Sequence, residues 1–161
     1  MTTAVMSARP RGSTRPWPTA RVYPFLPEGG VLPQDAALAA FPAEARWLGT
    51  VRSFASSALG RWPLPDETRD AAVIVLGEFA ANAVVHGRSE LYVLMTLSDG
   101  YVTLAVRDGG ESRPTADETL LADDEHGRGL LMVDGLAERW EAVSTPLGWR
   151  CTARLRAPGT G

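Results

Sequence analysis

Glu78, Asn82 and His86 recur every fourth residue inside a stretch that is otherwise apolar, and a carboxylate, an amide and an imidazole are groups that hold a metal ion or move a proton. At about 100° per residue on a helix they stack one turn apart, in line with Ala71 and Val75. Burying such groups without partners is costly. Either each finds a backbone or Arg partner of its own, or a bound metal and its water serve them together. Asn82 is the only Asn in the chain. Two further groups could bind a ligand. Asp108 is followed by Gly109 and Gly110, which let the backbone turn sharply and come close to a bound molecule, although the same triplet by itself reads as a turn. Gly127-Arg128-Gly129 precedes an apolar run, where free N–H groups, a helix dipole and one guanidinium would make an anion site, or where two glycines would make a hinge.

The elements that carry these residues follow from their periods. Asp66 after Pro65 suits a helix cap, Glu67 and Asp70 suit the positive end of the dipole, and Gly87 suits the far end, so the stripe lies on a helix over 66–87. Apolar residues on every side of it predict burial over most of its circumference. Before it, 35–41 predicts an edge strand, and Pro42 opens a helix over 43–59 that Gly60 ends. After it, 91–97 and 101–106 predict strands joined by Asp99-Gly100, a strong hairpin signal, and the second strand runs into Asp108. The polar, acidic stretch 111–126 is long for a connection and reads as a lid. A third helix over 128–138 presents Leu130, Leu131, Val133 and Leu136 to the core. A second hairpin closes the chain, with Trp149, Cys151, Ala153 and Leu155 alternating with Arg150, Thr152, Arg154 and Arg156.

With 161 residues, 45% of them hydrophobic, the chain suits one domain with one core. Residues 1–33 are rich in Pro, Gly, Ser, Thr and Arg and predict a flexible basic arm, leaving 34–157 as the folded domain and 158–161 as a tail. A formal charge of -3 argues against a nucleic-acid surface spread over the whole domain. All 16 basic residues are Arg, so no Lys is available for a phosphate or a Schiff base. The single Cys151 allows no internal disulfide. No apolar run approaches the roughly 18 residues that span a membrane, and no signal-peptide core is present, so a cytoplasmic protein is expected. There is no Gly-x-x-x-x-Gly-Lys-Ser/Thr loop and no zinc-type His/Cys cluster, which leaves Mg²⁺ as the plausible metal.

Taken in order, the helix with Glu78, Asn82 and His86, then Asp108-x-Gly110 after a strand, then a lid, then Gly127-x-Gly129, the chain resembles the nucleotide site of the GHKL ATPase and kinase superfamily. Glu78-Phe79-Ala80-Ala81-Asn82-Ala83-Val84-Val85-His86-Gly87 is similar to the N box of the anti-sigma factor serine/threonine kinases, and a chain without a phosphoacceptor helix pair points the same way. The resemblance implies a two-layer α/β sandwich, the Bergerat fold, with a mixed, mainly antiparallel sheet and helices on one face. It implies ATP and Mg²⁺, with Asn82 on the metal and Glu78 as general base or orienting group. It further implies Asp108 on the adenine amine, Gly110 admitting the base, Gly127, Arg128, Gly129 and Leu130 at the phosphates, and His86 shaping the helix end or touching phosphate. Ser112 stands where the family's Asp-x-Gly-x-Gly has its last glycine, and Arg150 stands where its final strand often carries Thr, leaving Thr152 as that strand's nucleotide contact. The partners implied are an antagonist protein bearing the acceptor hydroxyl and a sigma factor, with room for a homodimer. A non-catalytic ATP-dependent binding module and a stand-alone ATPase are the alternatives.

Overall fold

The computed structural model describes residues 4–7, 35–86, 90–108, 124–145 and 148–159. In chain order these form β1 (Ala4–Ser7), β2 (Asp35–Pro42), a 3-10 turn (Ala45–Trp47), α1 (Leu48–Leu59), α2 (Asp66–His86), β3 (Glu90–Ser98), β4 (Tyr101–Asp108), α3 (Asp124–Leu136), β5 (Arg139–Thr145) and β6 (Gly148–Arg156). The strands make one sheet in the order β1-β2-β3-β4-β6-β5. Every pair is antiparallel except β1 with β2. The result is the mixed, mainly antiparallel α+β architecture expected.

Alternation along the strands sorts side chains onto two faces. Ala37, Ala39 and Phe41 of β2, Leu91, Val93 and Met95 of β3, Val102, Leu104 and Val106 of β4, and Ala153 and Leu155 of β6 are buried in the core with the helices. Phe41 meets Phe54 of α1 edge-on at 5.8 Å, and Phe79 of α2 lies 6.3 Å from Trp140 of β5. Phe79 is fully buried, so truncating it to Ala would cost about 3–5 kcal/mol through lost transfer energy and the cavity left behind. The β3–β4 turn is as its sequence requires: Asp99 and Gly100 both have positive φ, 52° and 75°, matching the twist of the two strands.

Four expectations need correction. Residues 35–42 are not at the sheet edge, because Ala4–Ser7, inside the stretch read as an arm, pairs outside them. Four residues are too few to show a period, yet the open backbone groups of β2 give them partners. Pro42 ends β2 rather than opening a helix, Glu44 is still extended, and α1 begins at Leu48. The central helix is buried over most of its circumference, as expected, and Ile74 and Val85, eleven residues and about three turns apart, share its open side at 42% and 57% exposure. The third helix starts at Asp124, four residues before Arg128, where Asp124 and Glu125 suit the positive end of the dipole. Of its four residues expected in the core, only Val133 is fully buried; Leu130 is half-buried, and Leu131 and Leu136 are exposed. The lid stretch lies outside the described residues apart from its last three, 124–126, which belong to α3.

Candidate nucleotide site

The site is built where α2 packs against β4, β6 and α3. Apolar residues hold α2 down: Val75, Leu76, Phe79 and Ala80 are fully buried against the sheet and α1. This fixes the rotation of the helix and sets the polar stripe beside its buried face. Glu78 is half-buried and Asn82 is only 8% exposed. His86 is the last residue of α2, and its side chain lies outside the described ones.

Gly129 brings the second predicted group to the first. It is buried against the Glu78 carboxylate so closely that a Cβ would overlap Oε2 and lie 3.0 Å from Cδ. No other residue type fits without moving that carboxylate. The glycines are therefore not a hinge ahead of a helix. Gly127 and Gly129 lie inside α3, and the absent side chain at 129 lets the helix approach Glu78. With the helix beginning at Asp124, its four free N–H groups are those of 124–127, so Gly127 lies at the end of that set and Gly129 lies beyond it. Arg128 is exposed and Leu130 half-buried.

Asp108 ends β4 on the helix-facing side of the sheet and is 3% exposed. Its Oδ1 accepts the backbone N–H of Trp149 at 3.1 Å, which ties the end of β4 to the start of β6. A carboxylate can accept several hydrogen bonds, so the bond to Trp149 does not by itself bar a ligand amine. Gly110 lies outside the described residues. Thr152 is not brought to the site. It pairs with Ala105, one residue out of step with Val106 and Asp108, so its side chain emerges on the opposite face, as does that of Arg150. The sheet's period of two makes this unavoidable once Cys151, which pairs with Val106, faces the helices.

Cys151 is the residue that sequence reasoning did not connect to the site. Its thiol is pushed up to about 12, first by burial and then by the neighbouring Asp108 carboxylate, so it stays neutral near pH 7 beside the end of β4. The alternation that placed it inward was legible, but its nearness to Asp108 depends on the β4–β6 register. A separate groove of about 1110 Å³ runs between the first turns of α2 and the end of α3, lined by Glu67, Asp70, Ile74, Leu136 and Glu138 among others. It contains none of the stripe residues.

The donor set fits magnesium. Glu78 and Asn82 offer hard oxygen ligands one turn apart, and among the described residues no three His, Cys, Asp or Glu side chains cluster as a metal cage. Mg²⁺ is commonly held by one or two protein oxygens, with phosphates and water completing the shell. Among the described residues no helix is long and apolar enough to cross a membrane.

The family model for the histidine kinase-like ATPase domain matches residues 41–154, and the chain belongs to that family. Similar solved structures include a histidine kinase domain from the Erythrobacter litoralis EL346 blue-light activated histidine kinase, with TM-score 0.48, 18% identity and coverage of 73% of this chain and 62% of that one. The Acinetobacter baumannii histidine kinase AdeS has TM-score 0.46, 13% identity and coverage of 56% and 48%. This chain thus matches less than two thirds of the length of either structure. No curated protein matches it. A GHKL-type ATP-binding domain is the class defined by the matched family.

Proposed function

We propose that this chain is a Mg-ATP-dependent protein serine/threonine kinase of the anti-sigma type, which phosphorylates an antagonist protein and otherwise holds a sigma factor. The observation that supports it best is the seating of Gly129 against Glu78, with Asn82 one turn along the same helix. That arrangement puts a carboxylate and an amide oxygen beside the segment expected to meet the phosphates. In phosphoryl transfer the protein mainly positions groups and neutralises charge, and bound Mg²⁺ supplies the compensation for phosphate charge. Asn82 holds the metal through its side-chain oxygen. Glu78 accepts or orients the proton of the acceptor hydroxyl, the task of a positioned general base. Asp108 accepts from the exocyclic amine of adenine, and Trp149 N–H holds that carboxylate in place. Gly127, Arg128 and the turn containing them bind the phosphates. The subtype rests on the N-box pattern from Glu78 to Gly87.

A non-catalytic ATP-dependent binding module is the second reading. It is favoured by the enclosure of Gly129 within α3, which leaves that N–H no free position at the helix start. Transfer of labelled phosphate from ATP to a candidate antagonist separates the two. Under the proposal the wild type labels its partner, and Glu78→Gln binds ATP and partner but labels it about 100 to 10,000 times more slowly. Wild-type rates from Glu78→Gln would remove the carboxylate from its role. ATP and sigma-factor binding without any labelling would establish the second reading.

A further inference from the structure

The helix-free face of the sheet is strongly basic on its β4–β6–β5 side. Register places Arg107 beside Arg150, Arg154 beside both Thr103 and Arg139, and Arg156 beside Tyr101, all with side chains on this face. Among the described residues the carboxylates facing them are few. Glu141 lies between the arginine rows beside Thr152, Glu90 on β3 accepts the Tyr92 hydroxyl at 2.7 Å, and Glu138 reaches Arg156 only at 3.7 Å with both groups largely exposed. Like charges directly opposite each other on neighbouring strands destabilise a sheet. Arg154 stacks on the Tyr101 ring at 3.6 Å, and the buried Arg150 Nε has no hydrogen-bond partner among the described residues. Burial and the neighbouring Arg150 lower the pKa of Arg107, partly opposed by Tyr92 and Asp108. Toward β2 the same face is closed, with Leu38, Ala40 and Tyr92 buried, and so is the end of β4, with Ala105 and Arg107 buried; the accessible arginines are Arg139 and Arg156, with Arg150 and Arg154 half-buried beside them.

We propose that this face docks an acidic segment of a partner protein, laid across β4, β6 and β5 on the side of the sheet away from the nucleotide site. The proposal is independent of the phosphoryl-transfer reading. From Arg150 to Arg156 the patch runs about 20 Å along the strands and about 10 Å across them, the footprint of one helix or one extended segment. Guanidinium groups present planar donor forks that pair two-pronged with carboxylates. A protein segment fits better than a nucleic acid. Tyr101 is already covered by Arg154, so among the described residues of this face no free aromatic ring awaits a base, and the chain as a whole carries a net charge of -3.

The test uses the full chain and a fluorescein-labelled peptide of alternating Glu and Ala, about fourteen residues long so that it spans ~20 Å as a helix. Anisotropy is expected to show binding at low salt that disappears near 1 M, where the Debye length falls to about 3 Å. Arg139→Glu and Arg154→Glu, made separately, should each weaken the peptide about tenfold while leaving ATP affinity unchanged, the latter serving as the check that each variant is folded. Three results would overturn the proposal. The first is no peptide binding by the wild type, or equal binding by both folded variants. The second is tighter binding of a labelled single-stranded oligonucleotide with the same arginine dependence. The third is salt-sensitive self-association abolished by Arg154→Glu, which would give the face to the acidic 111–125 stretch of a second copy.

Discussion

Replacing Gly129 with Ala separates stability from chemistry at the point where α3 meets α2. The added Cβ would lie 3.0 Å from Glu78 Cδ and overlap Oε2, so the carboxylate must withdraw by more than ~1 Å to reach ordinary contact. The atom displaced is the end of a flexible side chain that is only half-buried, and rotating it outward costs little. Against that cost stands the gain of Ala over Gly in a helix interior, about 1 kcal/mol. The two nearly cancel, and the melting temperature is expected to stay within a few degrees of the wild type. Catalysis should not be spared, because a misplacement of about 1 Å at a reacting group costs on the order of 100-fold in rate. Thermal denaturation followed by circular dichroism, alongside labelled-phosphate transfer or ATP hydrolysis, reads both quantities. Undiminished turnover in a folded Gly129→Ala variant would show that the Glu78 position is immaterial. A loss of melting temperature well beyond ~5 °C would show that Glu78 cannot yield and that the contact is structural.

Other expectations follow from neighbouring residues. Asp108→Asn keeps an oxygen for the Trp149 N–H and should melt within a few degrees of the wild type, whereas Asp108→Ala leaves that part-buried donor without its carboxylate and should lose about 1 kcal/mol in urea denaturation. Both should lose preference for ATP over GTP in competition binding, and retained preference would confine Asp108 to its strand-tying role. The Cys151 thiol, neutral in the fold up to about 12, ionises more easily once unfolded, near its ordinary 9.0. The folded state therefore binds this proton more tightly, and its contribution to stability is complete below pH 9 and lost as pH rises toward 12. Urea denaturation between those limits should show the decline, and Cys151→Ala should show a shallower one. At pH 8 a thiol reagent should modify the native protein more than about 1000 times more slowly than a free cysteine.

Much of this arrangement was legible because local chemistry and global fold agree. Asp99-Gly100 demanded a tight turn and sits in one, and the alternation from Trp149 to Leu155 put Ala153 and Leu155 inward. The stripe on α2 was legible for the same reason, since a helix with apolar flanks can present its polar residues on one side only. What escaped the sequence was whatever depends on packing partners. The start of α3 moved to Asp124 because Gly127 and Gly129, which locally weaken a helix, are tolerated where Gly129 must pass Glu78. Leu131 and Leu136 read as core by type, but α3 turns Val133 to the core and leaves them outward. Thr152 was carried over by residue type, as the Thr that follows later on that strand, whereas the β4–β6 register assigns faces residue by residue. Four residues at 4–7, three of them apolar, show no period, and only the open edge of β2 makes them a strand.

The central claim is that Asn82 and the residues around it form a Mg-ATP site, and calorimetric titration of ATP tests it most directly. Four titrations suffice: wild type and Asn82→Ala, each with Mg²⁺ and with EDTA. The wild type should bind ATP at least about tenfold more tightly with Mg²⁺ than with EDTA, while Asn82→Ala should bind with the weaker, EDTA-like affinity in both conditions. Equal affinity of the wild type with and without Mg²⁺, or an Asn82→Ala variant that keeps the full magnesium dependence, would contradict the claim.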